Sequence, residues 1–175
     1  MTATRGEARK RPRTLAATDI RLRKVRVSDL PAFFQDQLDP AANWMAAFTA
    51  PDPTDRKAFT AHWKAILRDP RIVSRTVLVH HRVRGHVDFF EMFGKPSIDY
   101  WYAREVWGQG VATLALQAFL REVRVRPVYA RVANDNRGSI RVLEKCGFRR
   151  CGEDRGFAHA RGAEIEEFIY RLDAG

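Results

Sequence analysis

The run Tyr100-Trp101-Tyr102-Ala103-Arg104-Glu105-Val106-Trp107-Gly108-Gln109-Gly110-Val111-Ala112-Thr113 carries the clearest chemistry in this chain of 175 residues. An extended aromatic stretch passes through a glycine-bearing loop straight into a helix. A helix start leaves backbone N–H groups without partners, and the helix dipole adds positive potential there, so the segment can cradle a phosphate. Small residues at Gly108, Gly110 and Ala112 let the backbone come close to such a ligand. A second run, Asn134-Asp135-Asn136-Arg137-Gly138-Ser139-Ile140-Arg141-Val142-Leu143-Glu144-Lys145-Cys146-Gly147-Phe148, opens a helix with helix-capping residues and closes it on glycine.

A glycine loop between strand and helix suits several ligands. A P-loop requires a Gly-Lys-Ser/Thr ending, which is absent. A dinucleotide fingerprint requires a third glycine and an acid at the end of the next strand. Here that strand ends in Ala133-Asn134-Asp135, and the acid stands at a helix start. A glycine turn that only packs a helix on a sheet is the remaining structural alternative.

The elements that must position these runs are readable from periodicity. Residues 19–27 form a first strand, and Ser28-Asp29 caps a short helix carrying Leu30, Phe33, Phe34 and Leu38. Pro51, Pro53 and Thr54 precede an amphipathic helix through Ala58, Phe59, His62, Trp63, Ile66 and Leu67, which ends at Asp69-Pro70. Residues 72–80 and 83–92 read as a hairpin, and 97–103 as a further strand. A helix over about 109–123 follows, then a strand over 128–133, after which Asn134-Asp135-Asn136 opens a helix through Ser139, Ile140, Val142 and Leu143 that ends at Cys146-Gly147. Two terminal strands near 148–155 and 163–172 are joined through Gly156 and Gly162. The expected order is β-α-α-β-β-β-α-β-α-β-β. This is a mixed α/β domain of the α+β type, with a mostly antiparallel sheet, helices on both faces and one parallel pair across the 97–133 crossover.

The two runs together resemble the GCN5-related N-acetyltransferase (GNAT) superfamily. The first is similar to its acetyl-CoA pyrophosphate loop, in a "YW…WGQGVAT" variant like that of the branch that acetylates ribosomal protein N-termini and related amines. The resemblance spans about residues 19–172. It implies an acyltransferase that uses acetyl-CoA as donor substrate, in which an amine attacks the thioester directly. It implies cofactor contacts from Trp101, Tyr102 and Ala103 on the strand, and from Trp107, Gly108, Gln109, Gly110, Val111, Ala112 and Thr113 in the loop and helix start. Asn136, and less directly Asn134, match the position that holds the pantetheine arm; a helix cap is the competing role. Two departures stand out. Trp107 replaces the usual Gln or Arg, and Leu143 stands where many relatives carry a tyrosine that protonates the leaving thiolate. Ser139, one turn before Leu143, is the candidate donor in its place.

An amine acceptor is mostly protonated at neutral pH, so attack needs a base. Relatives often place a Glu where this chain has Ser97. Period-two alternation puts Ser97, Asp99 and Trp101 on one strand face, which makes Asp99 the first candidate base and Glu91 the second. A water chain to solvent is an alternative. Trp44, Met45 and Phe48 lie in the region that shapes the acceptor pocket in relatives. His80 and His81, read as strand neighbours, face opposite ways, and His62 and His86 are isolated; no metal site is expected.

Thirty-one Lys and Arg against 21 Asp and Glu give a formal charge of +10, which favours anionic partners without specifying one. Arg5, Arg9, Lys10, Arg11 and Arg13 concentrate charge in residues 1–17, expected to be a disordered tail or a contact arm for RNA or a ribosome. Residues 18–175 are expected to form one domain, as monomer or homodimer. No apolar run reaches the ~20 residues of a membrane span. Cys146 and Cys151 lack metal or disulfide spacing, which fits a reduced cytoplasmic protein. A non-catalytic acyl-CoA sensor and a ribosome- or RNA-associated protein are the alternative functions on the same fold.

Overall fold

The computed structural model describes residues 15–174. The basic stretch proposed as an anionic-partner arm, and most of the proposed tail, lie outside the described residues. Leu15 already packs against the main core, and its N–H reaches the Gln109 carbonyl at 3.4 Å. The folded part thus starts earlier than the expected boundary at 18.

Seven strands form one sheet: β1 (Ile20–Lys24), β2 (Val73–Val79), β3 (Arg82–Met92), β4 (Lys95–Tyr102), β5 (Val128–Ala133), β6 (Arg149–Ala158) and β7 (Ala163–Leu172). Their spatial order is β1-β2-β3-β4-β5-β7-β6. The β4–β5 pair is parallel and the others are antiparallel. The helices are α1 (Leu30–Gln37), α2 (Pro40–Ala46), α3 (Arg56–Arg68), α4 (Val111–Glu122) and α5 (Arg137–Lys145).

The helix α2 was missed by apolar periodicity. Its signal is local: Asp39 caps it, accepting from the N–H groups of Ala41 and Ala42 at 2.8 and 3.0 Å, and Pro40 fills the first turn where no N–H is needed. Asp29 stands at the N-cap of α1 as expected, but its side chain makes no cap hydrogen bond to that helix. It is buried at 2% exposure and instead takes both Arg23 guanidinium nitrogens at 2.6 Å, the Thr76 hydroxyl at 2.7 Å and the Arg26 N–H at 2.9 Å. It pins the start of α1 to β1 and β2. His80 and His81 are not strand residues but the two-residue turn of the β2–β3 hairpin, both with positive φ as a primed turn requires. Gly156 lies within β6; the β6–β7 connection is a helical turn over His159–Arg161 closed by Gly162.

One sheet face carries the main core. Val111, Ala115, Leu116 and Phe119 of α4 and Leu143 of α5 pack there on Val87, Ile98, Tyr102, Val128 and Val132. On the other face Leu30 and Phe33 of α1 join Trp63 of α3 over β3, while Ala47 at the end of α2 joins Ala133 and Ala158. The strand β4 lies between these two covered regions and forms the floor of a groove.

Candidate active site

The parallel β4–β5 pair has a single register contact, Ser97 to Tyr129. Beyond it β4 continues to Tyr102 and β5 to Ala133 without pairing each other, so the two strands splay. Alternation explains which groups the splay uncovers. The Ala103 N–H bonds the Arg84 carbonyl on β3, so the backbones of Tyr100 and Tyr102 face away from β3, toward the gap.

The gap leads to the loop before α4. Gly108 and Gly110 have φ of +73° and +84°, and a Cβ on either would meet nothing within 4 Å. The space above the loop is therefore open, and glycine is needed there for backbone conformation. Gly110 is the N-cap with no side-chain cap, and the first helical bond runs from the Leu114 N–H to the Gly110 carbonyl. The N–H groups of Val111, Ala112 and Thr113 have no helical acceptor, which leaves a fitting seat for a pyrophosphate. Trp107 turns its indole N–H back onto the Tyr102 carbonyl at 2.9 Å, closing the loop on the strand. The Gln109 amide likewise bonds the Glu105 carbonyl at 2.7 Å, so Gln109 contributes to the site through its backbone.

On the core face, Ser139 meets a residue that sequence reasoning passed over. The Tyr100 hydroxyl lies 2.6 Å from Ser139 Oγ, joining β4 to α5 across the gap. Period-two alternation held the signal, because it places Tyr100 opposite Asp99 and toward α5. Burial holds the Tyr100 phenol well above its usual pKa, so it stays a proton donor. Asn136 caps α5 by accepting the Ser139 N–H at 3.1 Å and gives its amide to the Met45 carbonyl at 2.9 Å. The competing cap role is thus realised, and Asn136 also ties α2 to the site. Asn134 bonds Glu166 on β7 at 3.1 Å.

On the groove face the structure brings Ser97, Asp99 and Trp101 together as expected. Glu91 is not among them. It sits beside the β3–β4 turn opposite Pro96, and alternation turns it to the other sheet face from Asp88 and Asp99. Asp99 opens to solvent within the groove. Its carboxyl is nonetheless raised above the usual range, first by desolvation and then by the charge of Asp88, against the pull of the Tyr100 N–H and His86. Trp44 and Phe48 are exposed at 53% and 37%, with Met45 half-buried between them, and the Phe48 ring lies over Gly156 of β6. Arg161 fixes this stretch: it pairs in two-pronged fashion with Asp135 at 2.7 and 2.9 Å and bonds the Trp44 carbonyl at 2.9 Å.

Asp36 on α1 forms the near wall. Burial pushes its carboxyl up to about 6, only partly offset by His86 and Arg84, and Oδ2 has no donor among the described residues. The folded state therefore binds a proton that the unfolded state has lost between about pH 4 and 6. Stability falls as pH rises through that window and stays lower above it. Asp36→Asn is expected to raise the melting temperature at pH 7–8 by a few degrees, about 1 kcal/mol after screening by solvent, and to give no gain below pH 4. Melting curves across pH check this; a gain that grows toward acid would contradict it.

Residues 19–149, well over half of the chain, match the family model described as Acetyltransferase (GNAT) domain. A sequence comparison with curated proteins gives no match. Among solved structures the fold is similar to Mycobacterium smegmatis RimJ in complex with CoA-disulfide, at 24% identity and TM-score 0.73, covering 89% of this chain and 82% of that one. It is similar to spermidine N-acetyltransferase from Vibrio cholerae in complex with CoA and spermine, at 16% identity and TM-score 0.76, covering 89% and 96%. A third is the Salmonella typhimurium acetyl transferase that modifies the N-terminal serine of ribosomal protein L7/L12, at 20% identity and TM-score 0.75, covering 90% and 96%. With that family model matching residues 19–149, the chain belongs to the GNAT family of acetyltransferases.

Proposed function

We propose that the protein transfers an acetyl group from acetyl-CoA to a primary amine, on a protein N-terminus or a small molecule, by direct attack on the thioester. The observation that carries this reading is the gap between β4 and β5 opening onto the uncapped start of α4. The N–H groups of Val111, Ala112 and Thr113 would hold the pyrophosphate, and the β4 edge at Tyr100–Tyr102 that faces the gap would take the amide groups of the pantetheine arm. The thioester supplies the electrophilic carbon; this chain supplies position and protons. Ser139, backed by the Tyr100 hydroxyl, is placed to give a proton to the departing sulphur. The CoA complexes of structurally similar proteins support the donor. The RimJ-like and L7/L12-modifying neighbours support a ribosomal protein N-terminus as one acceptor, and the spermidine enzyme a small polyamine. The free thiols of Cys146 and Cys151 suit a cytoplasmic setting; among the described residues no helix is long and apolar enough to cross a membrane.

Acetyl-CoA at a hundred times its dissociation constant should stabilise the fold by about 2.7 kcal/mol, or roughly 5–10 °C in melting temperature. Ser139→Ala should keep that stabilisation and lose about tenfold or more in turnover. No stabilisation of the wild type at saturation would remove the donor from this reading.

A further inference from the structure

The helix α3 breaks two local rules of helix charge. It carries Arg56, Lys57, Lys64 and Arg68 and no acid. Arg56 and Lys57 stand in its first turn, where the helix dipole disfavours positive charge, and Lys64 and Arg68 are like charges one turn apart. Spacing of i, i+4, i+7 and i+11 sets Lys57, Ala61, Lys64 and Arg68 in one line, and all four are exposed. At 1.5 Å per residue the line is about 16 Å long. The opposite line, Phe59, Trp63 and Ile66, packs with α1 over the sheet. The acids that flank α3 are already engaged: Asp55 accepts the Ala58 N–H at 2.9 Å as the cap, and Asp69 pairs with Arg71. Elsewhere arginines hold acids, as Arg84 does Glu105, Arg131 Glu167 and Arg161 Asp135; among the described residues none of the four α3 cations has such a partner. Between Arg56, Lys57 and Lys64 the surface dips over the small side chains of Thr60 and Ala61. The charges on this face therefore oppose the helix and pair with nothing in the fold.

We propose that this face of α3 docks on double-helical RNA through the phosphate backbone, away from the donor site at the start of α4. Charge alone would suit an acidic protein equally, and the composition of the line decides. Protein interfaces centre on apolar and aromatic side chains and are poor in Lys; this line offers only Ala61 between its cations. Phosphate contacts need charge and close approach, and the line supplies both. No Phe, Tyr or Trp of α3 is exposed, so a single-stranded base finds no such ring to stack on. One flank of α3 is buried on α1 and the sheet, so the helix lies against a duplex and does not enter a groove to read base edges. The deep, narrow major groove of A-form RNA brings the phosphates of both strands close together, and one line of cations reaches both rows. The wide major groove of B-DNA holds those rows apart. Docking of this kind is blind to sequence and leaves the β4–β5 gap free. It holds the enzyme beside a ribonucleoprotein whose protein amine it acetylates; that consequence rests on the reading of a protein N-terminus as acceptor, and RNA docking itself does not.

The test is fluorescence anisotropy of the full chain with a labelled RNA duplex of about 20 base pairs, across a range of salt. Each neutralised phosphate contributes about 0.9 to the slope of log affinity against log salt. The triple variant Lys57→Gln/Lys64→Gln/Arg68→Gln should therefore flatten that slope by about 2.7 and weaken binding at least about tenfold at low salt. The variant Arg121→Gln/Arg124→Gln/Lys145→Gln makes the same change of net charge at exposed positions away from α3 and should keep both slope and affinity. An unchanged slope in the α3 variant, or an equal change in the control, overturns the proposal. RNA held no better than a DNA duplex of the same sequence, or than polyglutamate of equal charge, also overturns it. The α3 variant should melt no lower than the wild type, because it relieves like-charge repulsion; a clear fall would assign these cations to the fold and overturn their docking role. Turnover of a small primary amine should be the same in both proteins; a fall would place α3 in the reaction instead. RNA binding with the expected slope in a chain that acetylates no amine would defeat the acetyl-transfer reading and leave the docking face standing.

Discussion

Gly110→Glu is expected to abolish productive acetyl-CoA binding while leaving the fold intact. Gly110 has φ +84°, and its N-cap position leaves the first N–H groups of α4 free. A side chain there strains the backbone by about 1–2 kcal/mol, and a carboxylate would repel the pyrophosphate from the same N–H groups. Losing two charge-assisted hydrogen bonds, at about 1.5–3 kcal/mol each, costs at least ~100-fold in affinity. Gly94→Glu is the control, because Gly94 has φ +71°, equally open surroundings and a place at the β3–β4 turn. Titration calorimetry with acetyl-CoA should show the loss in the first variant only. Equal affinity in both would mean that the α4 start does not bind the donor.

Asp29→Ala is the substitution expected to cost the most stability among the predictions made. It leaves the Arg23 guanidinium without its partner, the fully buried Thr76 hydroxyl without an acceptor and the Arg26 N–H unpaired. Breaking a buried pair from one side costs about 3–5 kcal/mol, and roughly 10 °C in a domain of this size. Desolvation alone would raise the Asp29 carboxyl, but Arg23, Thr76 and the Arg26 N–H together hold it below the usual range. The sign follows. Its stabilisation is complete above the unfolded-state value near pH 4 and is lost as pH falls through the lower folded-state value. The melting difference between wild type and variant should therefore be full at pH 7 and shrink below pH 4. A pH-independent difference would show that packing, and not the charge, carries the effect.

Much of the site was legible because its local rules are strong. The glycine loop, the aromatic strand before it and the Asn-capped helix after β5 each follow from residue type and spacing, and alternation alone placed Asp99 and Trp101 on one face. What stayed hidden depends on contacts far apart in sequence. The role of Asp29 is set by Thr76, 47 residues away, and its helix-start composition points to a cap that tertiary pairing overrides. The facing of Asp88 and Asp99 needs the β3–β4 register. Tyr100 meets Ser139 only because β4 and β5 splay. Asn136 shows the converse: its capping role was legible, while its bond to Met45 required α2, whose short amphipathic pattern gave no period to read. The stretch at Trp44–Phe48 is likewise held by Arg161 from the β6–β7 connection.

The most direct test of the central claim is free-thiol release from acetyl-CoA by the purified chain, measured with and without a panel of amines that includes peptides with free and blocked N-termini. The account predicts release that depends on a free primary amine, saturates with acetyl-CoA and disappears in Gly110→Glu. Acetyl-CoA that neither stabilises the protein nor gives up CoA to any amine in the panel would contradict it.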